Sequence, residues 1–105
     1  MKVVVNIEPD AAFSLSHEAV NLLSYLVDRE TLETMCQGSN RAHPALAKVV
    51  EDLGPSEVSA GGRLWVVKVP DTTTNWTVQV DEDGIEYVRA GDRTWHWDDW
   101  KYDFG

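Results

Sequence analysis

The spacing of apolar residues changes at Gly61-Gly62, and this change constrains the fold more than any other feature of the sequence. Before the glycine pair, apolar residues recur every three or four positions, as on the buried face of a helix. After it they alternate with polar residues, as in a strand with one face in water. Lys2 to Ile7 adds a strand pattern at the start of the chain. This order predicts an α+β domain.

Two helices are marked by residues that favour helix ends. Ser16 can cap the first, whose apolar stripe consists of Ala19, Val20, Leu23, Leu26 and Val27. The pattern leaves open whether this helix continues through 28–36 or starts again there. Pro44 fits the first position of the second helix, and Gly54 followed by Pro55 ends it.

Three further strands are predicted after the glycine pair. Leu64 to Val69 is apolar at nearly every position, which is typical of a central strand covered on both faces. Trp76 to Val80 alternates, and Arg93 to Trp97 is a candidate for the last strand. With the first strand, we expect two helices packed on one face of a small, mainly antiparallel sheet of about four strands.

Asp83-Gly84 predicts a tight hairpin between the strand at 76–80 and the residues after it. A two-residue turn at this dipeptide would place Ile85 and Tyr87 on the same face as the apolar residues Trp76, Val78 and Val80. The hairpin would then have one consistently buried side.

The domain is expected to span residues 1–95, followed by an unusual tail at 96–105. In the tail the aromatic residues Trp97, Trp100, Tyr102 and Phe104 are interleaved with Asp98, Asp99 and Asp103. Large aromatic side chains can close a small core, and they also dominate binding hot spots. The sequence indicates that Trp95 belongs to the core and leaves both alternatives open for the residues from Trp100 onward.

Charge narrows the classes of partner. The chain has 9 Lys and Arg against 18 Asp and Glu, a formal net charge of −9. Binding to nucleic acid depends largely on basic residues that neutralise phosphates, so we expect no direct nucleic-acid binding. Residues 71–105 hold nine of the acidic residues and three of the basic ones. This excess favours a basic protein partner, although acidity that only maintains solubility explains it equally well.

Catalytic and metal motifs are incomplete. His17-Glu18 lacks the second histidine of a zinc-protease helix, because position 21 is Asn21. Asp81 and Asp83 lack the remaining ligands of a calcium loop. Cys36 and His43 are the one plausible pair of nucleophile and base, and no third residue stands out to orient them. We therefore expect no enzyme, no cofactor and no metal.

A single cysteine and the lack of a long apolar run lead us to expect a cytoplasmic protein without membrane contact.

Three stretches of the chain resemble a family of small phage and prophage proteins. They are Leu15 to Val20, then His43 to Gly54, and then Val67 to Asp71 with Trp76 and the hairpin that leads to Arg93-Thr94-Trp95. The resemblance extends over roughly residues 3–95. The resemblance implies a phage setting and no particular activity, and His43, Asp92 and the tail depart from the family pattern.

These features lead to one preferred hypothesis: a non-catalytic acidic protein that occupies a basic nucleic-acid-binding surface of a host complex, as anti-CRISPR and anti-restriction inhibitors do. The predicted partner-binding residues are Asp81, Glu82, Asp83, Glu86, Trp97, Asp98, Asp99, Trp100, Tyr102 and Asp103. One alternative is a structural or self-associating phage protein that forms a homo-oligomer through Trp95 to Phe104. The other is a thiol enzyme that uses Cys36 and His43.

Overall fold

The computed structural model describes residues 1–98, which fold into three layers. The elements are β1 (Lys2–Asn6), α1 (His17–Ser24), α2 (Arg29–Cys36), α3 (Pro44–Leu53), β2 (Leu64–Lys68), β3 (Thr77–Val80), β4 (Glu86–Ala90) and β5 (Arg93–Trp95). β1 and β2 pair as an antiparallel ribbon, and β3, β4 and β5 form a separate antiparallel sheet in that order. The ribbon lies between the helices and the three-stranded sheet.

The ribbon is covered on both faces, which explains why β1 is apolar at consecutive positions. Val4 packs in the core cluster formed with the helices. Val3 and Val5 point the other way, into the cluster formed with the three-stranded sheet. All three valines are fully buried. Side chains alternate between the faces of a strand, so two buried faces require an unbroken apolar run.

The helical layer contains three helices where the sequence predicted two. The Ser16 Oγ accepts a hydrogen bond from the Ala19 N–H at 3.2 Å and begins α1 as predicted. The open question after α1 is resolved in favour of a restart, because the Asp28 carboxylate accepts from the Thr31 N–H at 2.7 Å and caps α2. Leu26, predicted to lie on the buried stripe, is half exposed at the break between the two helices.

The prediction of one sheet with a central strand at 64–69 is wrong in detail. Among residues 1–98, β2 pairs with β1 alone, so it is an edge strand. The predicted cover on both faces is nevertheless present, since the helices cover one face of β2 and the second sheet covers the other. The second sheet packs face to face on the ribbon because Val88 and several tryptophans form an apolar layer that needs a facing surface.

The predicted register of the hairpin is also wrong, by one residue. Val80 pairs with Glu86 and Gln79 with Tyr87, so Tyr87 shares a face with Gln79 and not with Val78 or Val80. The connection is longer than a two-residue turn, because the Asp81 N–H donates to the Ile85 carbonyl across Gly84, which has φ +83°. One extra residue in the loop moves every following side chain to the opposite face.

Replacing Gly84 by alanine should destabilise the protein by about 2 kcal/mol, because it adds a tight contact to an unfavourable backbone conformation. A Cβ atom there would lie 3.3 Å from the Cβ and the carbonyl oxygen of Pro9. Gly91→Ala is the matched control: its φ is +61° and no atom lies within 4 Å of the added Cβ. It should cost about 1 kcal/mol. Urea unfolding of both variants measures the difference, and equal losses would contradict the contact.

The Asp28 cap should make stability depend on pH. Hydrogen bonds from the side chain and then the backbone of Thr31 lower the pKa of Asp28 in the folded protein. A lowered folded pKa contributes stability above the unfolded pKa, and this contribution is lost as pH falls through the folded pKa. Asp28→Asn keeps a capping oxygen without titrating. In urea unfolding at a series of acidic pH values, wild type should lose stability relative to Asp28→Asn, and parallel curves would refute this.

Candidate functional site

Glu86, predicted to belong to an exposed acidic surface, instead forms an internal ion pair. Its Oε1 and Oε2 accept hydrogen bonds from the Arg41 guanidinium at 2.7 and 3.3 Å. Oε1 also accepts from the backbone N–H of Asn6 at 2.6 Å. The Glu86 side chain is only 16% exposed and the Arg41 side chain 11%. Its charge is therefore neutralised inside the protein and is not offered to a partner.

The Arg41 side chain is fixed by hydrogen bonds and by a contact with an aromatic ring. Its guanidinium donates to the backbone carbonyls of Val4 at 3.1 Å and Gly38 at 2.7 Å. The same group lies over the Phe13 ring, 3.9 Å from the ring centroid. Arg41 comes from the loop between α2 and α3, Val4 from β1 and Glu86 from β4. This side-chain cluster joins all three layers.

Two of the predicted acidic residues are exposed at the tip of the β3–β4 hairpin. Asp81 turns its carboxylate inward, where Oδ1 accepts from the N–H groups of Asp83 and Ile85 at 2.9 and 3.0 Å. This hydrogen bonding shapes the loop. Glu82 and Asp83 are left with exposed side chains. The tip therefore presents two of the three predicted carboxylates to solvent.

The structure adds Asp10 to this end of the molecule. Pro9 packs against Gly84 in the hairpin tip, so the loop that follows β1 lies beside the tip. Asp10, the next residue, is exposed. We refer to Asp10, Glu82 and Asp83 as the acidic end. The position of Asp10 was not predicted, because a contact across more than seventy residues leaves no local signal in the sequence.

Asp92, the acidic residue in the other turn of this sheet, does not lie at the acidic end. Asp92 is in the turn between β4 and β5. The five residues of β4, which separate this turn from the hairpin tip, span about 17 Å. Asp98, the last described residue, is half-buried. The other predicted partner-binding residues, Asp99, Trp100, Tyr102 and Asp103, lie outside the described part of the chain.

Four tryptophans lie against the ribbon and the three-stranded sheet. Trp65, Trp76, Trp95 and Trp97 are half-buried against the same apolar cluster. Trp97, predicted as an anchor for a partner, packs edge-on against Trp65 with ring centroids 5.9 Å apart. Its indole ring therefore contributes to this apolar layer and leaves only part of its surface for binding.

A groove of about 1140 Å³ opens beside β2. The C-terminal half of α3 and the Gly54-Pro55 turn form one wall. Trp95, His96 and Trp97 form the other, and the residues of β2 lie between the two walls. His96 lies close to the second sheet, where its ring stacks on Tyr87 at 4.7 Å. The groove was not predicted from the sequence, because its walls come from segments about forty residues apart.

The Cys36 and His43 side chains have different surroundings. His43 caps α3, since its Nδ1 accepts the Ala45 N–H at 3.1 Å. Cys36 is exposed at the last position of α2. The residues between them include Arg41, which is fixed by Glu86. Within residues 1–98, no group of three His, Cys, Asp or Glu side chains is arranged to hold a metal ion.

Comparison with known proteins adds no relatives. The chain matches no protein-family model, no curated protein and no solved structure. The resemblance to phage proteins therefore stays a hypothesis drawn from short motifs. Across the described residues, no helix has the length and apolar character needed to span a membrane.

Removing the Glu86 carboxylate should cost about 3 kcal/mol of folding free energy, because the Arg41 charge and the Asn6 N–H would lose their partner. Glu82→Ala, at an exposed position in the same hairpin, is the matched control and should change stability by less than about 0.5 kcal/mol. Thermal or urea unfolding of Glu86→Ala and Glu82→Ala compares the two. Equal stabilities would show that the ion pair does not hold the layers together.

Proposed function

We propose that this protein is a non-catalytic interaction protein that presents its acidic end to a basic surface of another protein. The observation that supports this most directly is the exposure of Glu82 and Asp83 beside Asp10. Glu86, on the adjoining strand, is neutralised by Arg41. The fold thus neutralises the Glu86 carboxylate and leaves those of Glu82 and Asp83 exposed to a partner.

The net charge of −9 strengthens the effect of such a surface. A protein with a strong negative field attracts basic partners from a distance and accelerates their encounter. Basic surfaces are typical of proteins that bind nucleic acid, because they neutralise phosphates. In its narrower form, the proposal is that the acidic end takes the place of nucleic acid on a host complex, as a phage inhibitor of defence systems would.

Charge reversal at the acidic end tests the proposal. Wild type, Glu82→Lys and Asp92→Lys would each be immobilised and exposed to bacterial lysate at low and at high salt, with captured proteins identified by mass spectrometry. Both substitutions change the net charge equally and lie in exposed turns of the same sheet. We expect wild type and Asp92→Lys to retain a basic nucleic-acid-binding protein at low salt. Glu82→Lys should lose it, and high salt should release it.

Two results would contradict the proposal. If both variants lost the captured protein to the same extent, net charge and not the acidic end would be responsible. If capture did not change between low and high salt, the contact would not be electrostatic, since exposed charges are screened within about 10 Å at 0.1 M salt.

A further inference from the structure

The free edge of β2 presents main-chain groups in the arrangement that another strand requires. The Ile7 N–H donates to the Arg63 carbonyl and the Val69 N–H to the Met1 carbonyl, which assigns the hydrogen-bonded pairs of the ribbon to odd-numbered residues. The N–H and C=O groups of Val66 and Lys68 therefore point away from β1. Within residues 1–98 no strand lies on that side.

The free edge lies in the groove between α3 and the segment 95–97. Val66 packs toward the helices, whereas Trp65 and Val67 face the second sheet. An added strand would alternate its side chains in the same way, toward Val50 and Pro55 on one side and toward the tryptophans on the other. Both walls are largely apolar, so the groove suits apolar residues at consecutive positions.

We propose that this groove binds an extended polypeptide segment of a partner protein, which adds to β2 as a further strand. Main-chain hydrogen bonds to Val66 and Lys68 supply its direction and register. Apolar side chains at consecutive positions contact the two walls in turn. This site is separate from the acidic end and does not depend on it.

Charge at the groove favours a segment that carries a carboxylate. Lys2 is paired with Glu51 at 2.7 Å. Lys68 is exposed at the end of the free edge and supplies a positive charge in a chain whose net charge is −9. An aspartate in the bound segment would lie near it, so this groove and the acidic end select partners of opposite charge.

Synthetic peptides of about eight residues, the length of an ordinary strand, test the proposal. They would carry valine or tyrosine at consecutive positions and one aspartate. Two versions would be N-methylated, each on one of the two alternating sets of residues. Only one set points its N–H groups at β2. By calorimetry, we expect methylation of that set to weaken binding about tenfold or more and methylation of the other to change it less than about threefold.

Lys68→Pro and Lys68→Ala form a matched pair in the protein. The Lys68 N–H lies outside the β1–β2 ladder, so proline removes the donor without breaking a ribbon hydrogen bond. Alanine keeps the donor and removes only the charge. Lys68→Pro should abolish peptide binding. Lys68→Ala should bind the peptide with a modest loss of affinity relative to wild type, and this loss should disappear when lysine replaces the aspartate of the peptide. Circular dichroism of both variants verifies that they fold.

Several results would overturn the proposal. One is that none of the peptides binds. Another is that the two methylated peptides bind equally weakly, and this comparison uses the wild-type protein and so does not depend on the folding of a variant. A chain truncated after Asp98 that binds the peptides when the full chain does not would show that residues 99–105 compete for the groove. Light scattering that found a dimer sensitive to Lys68→Pro would assign the groove to a second copy of the chain.

Discussion

The ion pair between Arg41 and Glu86 is the contact on which the layered arrangement depends. A strand in the middle of a protein must satisfy main-chain groups on both of its edges. β1 has β2 on one side and no strand on the other within the described residues. There the Val4 N–H donates to the Arg41 carbonyl at 2.8 Å, the Val4 carbonyl accepts from the Arg41 guanidinium, and the Asn6 N–H donates to Glu86. One ion pair thus supplies hydrogen-bond partners for the main-chain groups on the edge of β1 that no described strand covers.

The same pair explains why the second sheet stacks on the ribbon and does not extend it. Glu86 comes from β4 and reaches β1 by its side chain. A carboxylate among apolar residues is tolerated because it meets both a guanidinium and a backbone donor. Val3, Val5 and Val88 pack in one cluster, so the apolar contact and the ion pair reinforce each other.

Features with local signals were predictable from the sequence. Ser16 as a cap, Pro44 at the start of α3 and Gly54 at its end all act within a few residues, and the structure confirms them. The hairpin register was not predictable from Asp83-Gly84 alone. The dipeptide is compatible with loops of two or three residues, and Gly84 adopts a positive φ in the longer one. A difference of one residue then placed Val88 opposite Val78 and moved Tyr87 to the face of Gln79.

The candidate site was predicted less well than the fold, for the same reason. Glu86 looks like any other acidic residue in the sequence, and its partner Arg41 is 45 positions away. Nothing near Asp10 indicates that Pro9 packs on Gly84. A turn at Asp83-Gly84 was correctly expected, because turn-forming residues act locally.

The two edges of the ribbon differ in a way that bears on assembly. Side chains close the edge of β1, whereas no strand of residues 1–98 covers the edge of β2. A ribbon with one usable edge can join another of its kind only once. The joined pair would have blocked edges at both ends, so growth through the ribbon would stop at two molecules and could not continue into a fibre. The arginine that stabilises the interior thereby also sets an upper limit on polymerisation through these strands.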